Sequence, residues 1–164
     1  TKHNAGRLWL TQITESIDWS GEQPVWDRRL KALLAQGELW GQVVYILLPE
    51  TFMNLSGQAV VNFKKRYGLS PTKLIVVHDD IDLNWGTVRS GFNRGAGGHK
   101  GVLNIFKYLG TSSFYRLRLG VGRPPTNQSA TDYVLRPIKS SLEKPDQVWL
   151  EAKTQLKEII INNS

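Results

Sequence analysis

Four short stretches hold the side chains able to carry out acid–base or carbonyl chemistry: His3 and Asn4, "ETFMN" from Glu50 to Asn54, "HDDID" from His78 to Asp82, and "RGAGGHKG" from Arg94 to Gly101. The chain has no cysteine, and no serine stands in a G-x-S-x-G turn, which argues against thiol or serine nucleophiles. A histidine steered by a carboxylate can instead act as general base on water, while a carboxamide holds a carbonyl and its developing oxyanion. His3, Asp79 and Asn54 supply those types without a metal. Other readings stay open on the residues alone. Asp79, Asp80 and Asp82 could ligate Mg²⁺ or Mn²⁺, or form a charged turn. His3 fits an exposed terminal side chain, and Asn54 fits a residue ahead of a helix start.

The glycine-rich stretch has five glycines between Gly91 and Gly101. It lacks the G-x-x-x-x-G-K-[ST] spacing, and Lys100 occupies the third glycine position of G-x-G-x-x-G. What remains is a loop whose backbone can approach a ligand closely, with Arg89, Arg94 and Lys100 giving it a charge suited to phosphate.

These segments must be positioned by alternating strands and helices. Leu8, Trp9, Ile13 and Ile17 predict a helix over 7–17, and 20–24 reads as loop. Strands are expected over 28–36 and 40–48 about Gly37, the second including the unbroken apolar run "VVYILL" of a strand buried on both faces. Helices are expected over 56–67 and 99–109, closed by Gly68 and Gly110, with a last one from Pro145 to about Ile160. "KLIVVHDD", "TVRSGF" and "RLRLGVG" predict three more strands, and Pro124–Pro125 a loop. The order implies a three-layer α/β domain with a largely parallel or mixed sheet. Sites in such folds gather beyond the carboxyl ends of strands and at helix starts. The four chemical stretches all fall at such points.

Composition narrows the partners. Lys and Arg total 21 against 14 Asp and Glu, a net charge of +7, which favours a polyanion such as RNA. No apolar run approaches the roughly 20 residues of a membrane span. The cysteine-free composition fits a reducing, cytoplasmic setting, and no interface stripe is evident, so a monomer is expected.

In order and spacing, these segments resemble the bacterial peptidyl-tRNA hydrolase family from residue 1 to about 136. "TKHNAG" matches T-R-H-N-x-G, "LPETFMNLSG" matches P-x-T-F-M-N-x-S-G, and "VVHDDIDLNWG" matches a strand ending H-D-[DE]-[LI]-D-L-x-x-G. "GAGGHKGVLNI" matches G-G-H-N-G-[LI]-x-x-I, "FYRLRLGVGRP" matches F-x-R-L-R-[IL]-G-[IV]-G-x-P, and "DYVL" matches F-V-L. The resemblance implies an α/β fold, a single three-layer domain over 1–164 with a twisted mixed sheet flanked by helices, and hydrolysis of the ester between peptide and tRNA in peptidyl-tRNA, with no metal or other cofactor. It implies His3 as the base that activates water and Asp79 as the acid that orients it. Asn54 would hold the substrate, with Phe52, Met53, Asn4 and Lys100 beside it. Arg118 would clamp tRNA phosphate. The clamp's usual lysine falls at Gly91, leaving Arg94 and Arg89 as substitutes. His78 is expected to be structural, and Asp80 and Asp82 to shape the turn into Gly86.

There are two departures. Lys100 replaces the family's Asn after G-G-H; it cannot accept a hydrogen bond but can place positive charge near an oxyanion or the terminal phosphate. The family's strand and G-L-x-N-P-G loop ahead of T-R-H-N do not precede Thr1, so a chain lacking that strand is expected. The competing reading is a non-catalytic RNA-binding relative of the kind that serves intron splicing in plants.

Overall fold

The computed structural model describes residues 1–125, 127, 129–135 and 145–163. Its helices are α1 (Ala5–Thr14), α2 (Ser56–Tyr67), α3 (Lys100–Leu109), α4 (Ala130–Val134) and α5 (Pro145–Asn162). Its strands are β1 (Trp19–Gly21), β2 (Val25–Asp27), β3 (Ala32–Leu39), β4 (Gln42–Pro49), β5 (Ile75–Asp80), β6 (Val88–Phe92) and β7 (Tyr115–Gly120).

The α/β class holds, with helices against both faces of the strands, but the strands divide between two sheets instead of forming one. β3 pairs antiparallel with β4 along its whole length, and on its other edge with β1 and β2 in tandem. β7 pairs parallel with β5 and antiparallel with β6. Alternation sorts the side chains. Ile46 and Leu48 of β4 join Trp9 and Ile13 of α1 and Leu156 of α5 in one core. Leu47 and Val76 turn the other way, to Val60 of α2, Ile105 of α3 and the fully buried Phe114.

Local chemistry explains where the elements depart from expectation. The β3–β4 turn is Trp40–Gly41, both at positive φ (52° and 77°), the backbone a two-residue hairpin needs. Gly37, expected near a turn, instead lies within β3. A Cβ there would come within 2.6 Å of the Trp19 ring, so the glycine is kept by a close approach. α1 stops at Thr14, whose hydroxyl donates to Thr11 O, and the chain turns into β1. That leaves Ile17 fully exposed rather than on the helix's inner face. β1 takes in Ser20 and Gly21 of the stretch expected as loop and β2 begins just after it; both form by pairing with β3, a non-local contact.

Candidate active site

The carboxyl ends of β4 and β5 flank the start of α1. β5 carries Asp79 there, 2% exposed. His3 sits in the 3-10 turn Lys2–Asn4 that leads into α1. α1 comes down tightly on β5, because Gly6 leaves no side chain against Val77 O; a Cβ would be 2.4 Å from it. That contact brings His3 Nδ1 to 2.9 and 3.0 Å from the two Asp79 oxygens, across 76 positions of sequence.

A third side chain completes the arrangement. His99 is the N-cap of α3, and its Nδ1 accepts from the Val102 backbone N–H at 3.2 Å. Nδ1 is therefore bare, and Nε2 carries the proton it donates to Asp79 Oδ1 at 3.1 Å. Burial pushes the Asp79 carboxyl up, but the hydrogen bonds from His3 and His99 outweigh it and hold Asp79 well below the usual carboxylate range. An ionised Asp79 only accepts, so His3 donates to it through Nδ1–H, and in the neutral ring that tautomer leaves Nε2 bare, the form of a general base.

The same bond bears on metal binding. The ligand atoms of His3, Asp79 and His99 lie within 4.8 Å of one another. A metal-bound histidine donates its other ring N–H to an acceptor, whereas His99 Nδ1 faces a backbone donor. Asp80 and Asp82 take no part. Asp80 accepts from Asp82 N and from Arg118 Nη1, at 2.8 and 3.2 Å. Asp82 pairs with Arg123 at 2.9 Å.

His78, beside Asp79, is turned inward. Its Nδ1 donates to Asp79 O at 2.6 Å, its Nε2 has no partner among the described residues, and burial lowers its pKa to about 3. It is a neutral packing group against the His99 ring.

The remaining expected residues separate into a wall, a rim and a patch. His3, Asn4, Phe52, Met53, Asp79 and His99 line one cavity. Met53 packs over Gly101, where a Cβ would be 2.6 Å from its sulfur. Asn54, in the 3-10 turn Met53–Leu55, and Lys100, the first residue of α3, are both exposed and lie off that wall. Asn54 makes no capping bond, since the N-cap of α2 is Leu55. The arginines form a separate patch on β6 and β7. Arg89 pairs across from Arg118, and Arg94 folds over Gly91, its Nε 3.2 Å from where a Cβ would stand.

Two features escape a reading of the sequence. His99 lies inside a family motif, but only its bond to Val102 reveals its role. Lys2 lies over the Tyr133 ring, 3.2 Å from its centroid, and Tyr133 Oη donates to Val121 O at 2.9 Å. Together they hold α4 against the His3 turn.

Comparison with known proteins agrees with this geometry. The family model described as peptidyl-tRNA hydrolase matches residues 1–164. The peptidyl-tRNA hydrolase of Brevibacillus brevis is 36% identical over 154 residues, 93% of this chain and 79% of that protein. That of Nocardia farcinica is 35% identical over 161 residues, 98% of this chain and 82% of that one. The crystal structure of peptidyl-tRNA hydrolase from Acinetobacter baumannii superposes with a TM-score of 0.81 at 29% identity, covering 99% of this chain and 86% of that one. With a buried carboxylate steering a histidine at the mouth of an α/β fold, and a family model matched from end to end, the chain belongs to the peptidyl-tRNA hydrolase family.

Proposed function

We propose that this chain hydrolyses the ester joining a peptide to tRNA, with His3 and Asp79 as its acid–base pair. Bare Nε2 of His3 takes a proton from water as the water attacks the ester carbonyl. Asp79 accepts from Nδ1–H and steadies the imidazolium that forms. Asn54, exposed beside the cavity wall, holds the substrate's peptide backbone and helps position the ester. When the acyl–oxygen bond breaks, the imidazolium returns its proton to the departing ribose oxygen, leaving free peptide and tRNA. Phe52, Met53 and Asn4 border the peptide, Lys100 supplies charge at the rim, and Arg118, Arg94 and Arg89 hold tRNA phosphate. In the same reading, residues 1–164 act as one unit, a cytoplasmic monomer needing no cofactor.

The observation that carries the reading is the bidentate approach of His3 Nδ1 to a carboxylate with a second donor behind it. Loss of a general base typically costs 10²–10⁴-fold. His3→Ala is therefore expected to slow peptide release from purified peptidyl-tRNA by at least about 100-fold, with chelator leaving the parent rate unchanged. Full activity of the variant would remove His3 from the mechanism.

A further inference from the structure

The sheet face that carries the arginines also holds a cation that the hydrolysis leaves unused. Side chains alternate along β7, so Arg116 and Arg118 share a face, with Gly91 and Arg89 opposite them on β6. Arg118 is partly exposed and donates to Asp80 Oδ2 at 3.2 Å. Arg116 is 2% exposed, and its guanidinium makes no hydrogen bond or ion pair with any described residue. The acid whose charge reaches it is Asp80. Both oxygens of Asp80 are engaged elsewhere, Oδ1 by the Asp82 N–H and Oδ2 by Arg118.

The other charges around Arg116 are like its own. Those of Arg118 and Arg94 both bear on it. Arg94 reaches it by lying over Gly91, with Cγ and Nε each 3.2 Å from where a Cβ of Gly91 would stand. Gly91 is the ladder partner of Arg116, and directly opposed residues point to one side of a sheet. The ground over Gly91 is therefore flanked by Arg116 and roofed by Arg94. Arg94 is exposed, and its side chain is held by no hydrogen bond among the described residues, so the roof can swing aside. An ionised side chain taken out of water without a counter-charge is strongly disfavoured. A water molecule satisfies a donor but brings no charge.

We propose that the ground over Gly91, between Arg116 and Arg94, is a seat for a small tetrahedral oxyanion of the inorganic phosphate class. The planar guanidinium of Arg116 offers Nε–H and an Nη–H as a fork to two oxygens. Arg94 closes over a third, and Gly91 leaves the room that a side chain would take. A free oxyanion, unlike a phosphate joined to two riboses, can be enclosed on all sides, as so deeply buried a guanidinium requires. Once seated, it neutralises the charge beneath the exposed Arg89 and the partly exposed Arg118. Binding of the free anion does not depend on the hydrolase reading, and it is measured without substrate.

The test is calorimetric titration of the 164-residue chain with sodium phosphate in chloride buffer at constant ionic strength. Saturable binding of a single phosphate is expected, with a Tm rise of about 3–6 °C at tenfold excess over Kd. Arg116→Met removes the fork and the buried charge together. It should abolish binding, and without phosphate it should be at least as stable as the parent. Gly91→Val keeps both arginines but fills the seat, so it should weaken binding at least tenfold even where the Arg116 variant fails to fold. Arg123→Ala, which removes an exposed arginine paired with Asp82, should bind phosphate like the parent. Saturating tRNA should leave the phosphate in place in equilibrium dialysis. Binding that survives in Gly91→Val, or that falls equally in Arg123→Ala, would show general attraction to a basic chain and overturn the proposal. So would the absence of binding, or one-for-one displacement by tRNA, which would make the seat part of the tRNA contact.

Discussion

Asp79 is the residue on which the rest of the site turns, because two imidazoles donate to it in different ways. His99 does two jobs, capping α3 through Nδ1 and donating to Asp79 through Nε2. His99→Asn separates them. Asparagine is a good N-cap but lacks the reach of Nε2, so stability should hold within about 1 kcal/mol while kcat falls about tenfold or more. Unchanged kcat would make His99 a cap alone. His78 gives a pH signature. Its folded pKa is lowered to about 3, so below its ordinary value of about 6.5 the unfolded chain takes up a proton that the folded chain refuses. Stability is therefore full above that pH and falls as pH drops toward 3. At pH 5 the loss is about 2 kcal/mol. His78→Gln should flatten that part of the curve in urea titrations at pH 7 and pH 5. An equal pH dependence in both proteins would show that other groups dominate.

At the scale of elements, Asn54 is held by a turn that leads into α2, and one side-chain hydrogen bond ties the start of α2 to α3 beside their shared core. Asn104 Oδ1 accepts from Gly57 N, an otherwise orphaned amide of the first helical turn, at 2.7 Å. Asn104→Ala should cost about 1–2 kcal/mol and raise KM for peptidyl-tRNA more than it lowers kcat, because the turn bearing Asn54 loosens while His3 and Asp79 stay paired. A pure kcat effect would contradict this. The bond also marks what the sequence could reveal. Helical spacing located α2, α3 and α5, and glycine located the ends of α2 and α3 at Gly68 and Gly110, because these are local effects. The family resemblance carried by the motifs implied the pairing of His3 with Asp79 that the structure shows. β1, β2, the Trp40–Gly41 turn and the tautomer of His99 escaped, since each depends on a partner distant in sequence or on a backbone N–H that residue type does not announce. The division into two sheets escaped for the same reason. Apolar runs mark strands as buried but say nothing of which edges meet.

Over the whole molecule, the charge of +7 is unevenly used. Several arginines are already committed: Arg66 to Asp27, Arg7 to Glu50 and Arg123 to Asp82. On β6 and β7, by contrast, Arg89, Arg116, Arg118 and the overlying Arg94 are set against Asp80. The crowding shows at Arg116. Burial, then the charges of Arg118 and Arg94, lower the pKa of Arg116, whose Nε is buried without a partner among the described residues. Such a patch is relieved by an incoming anion, and a tRNA phosphate bound there would release counterions from the nucleic acid. Removing one contact to duplex phosphate lowers the slope of log K against log salt by about 0.9. Arg94→Ala and Arg118→Ala should each reduce the slope for uncharged tRNA by about that amount and weaken binding equally across tRNA sequences, since phosphate contacts carry no base information. Arg66→Ala serves as the reference, because its guanidinium is bound to Asp27, and its slope should match the parent's. Equal slopes in all four proteins would move the tRNA contact off β6 and β7.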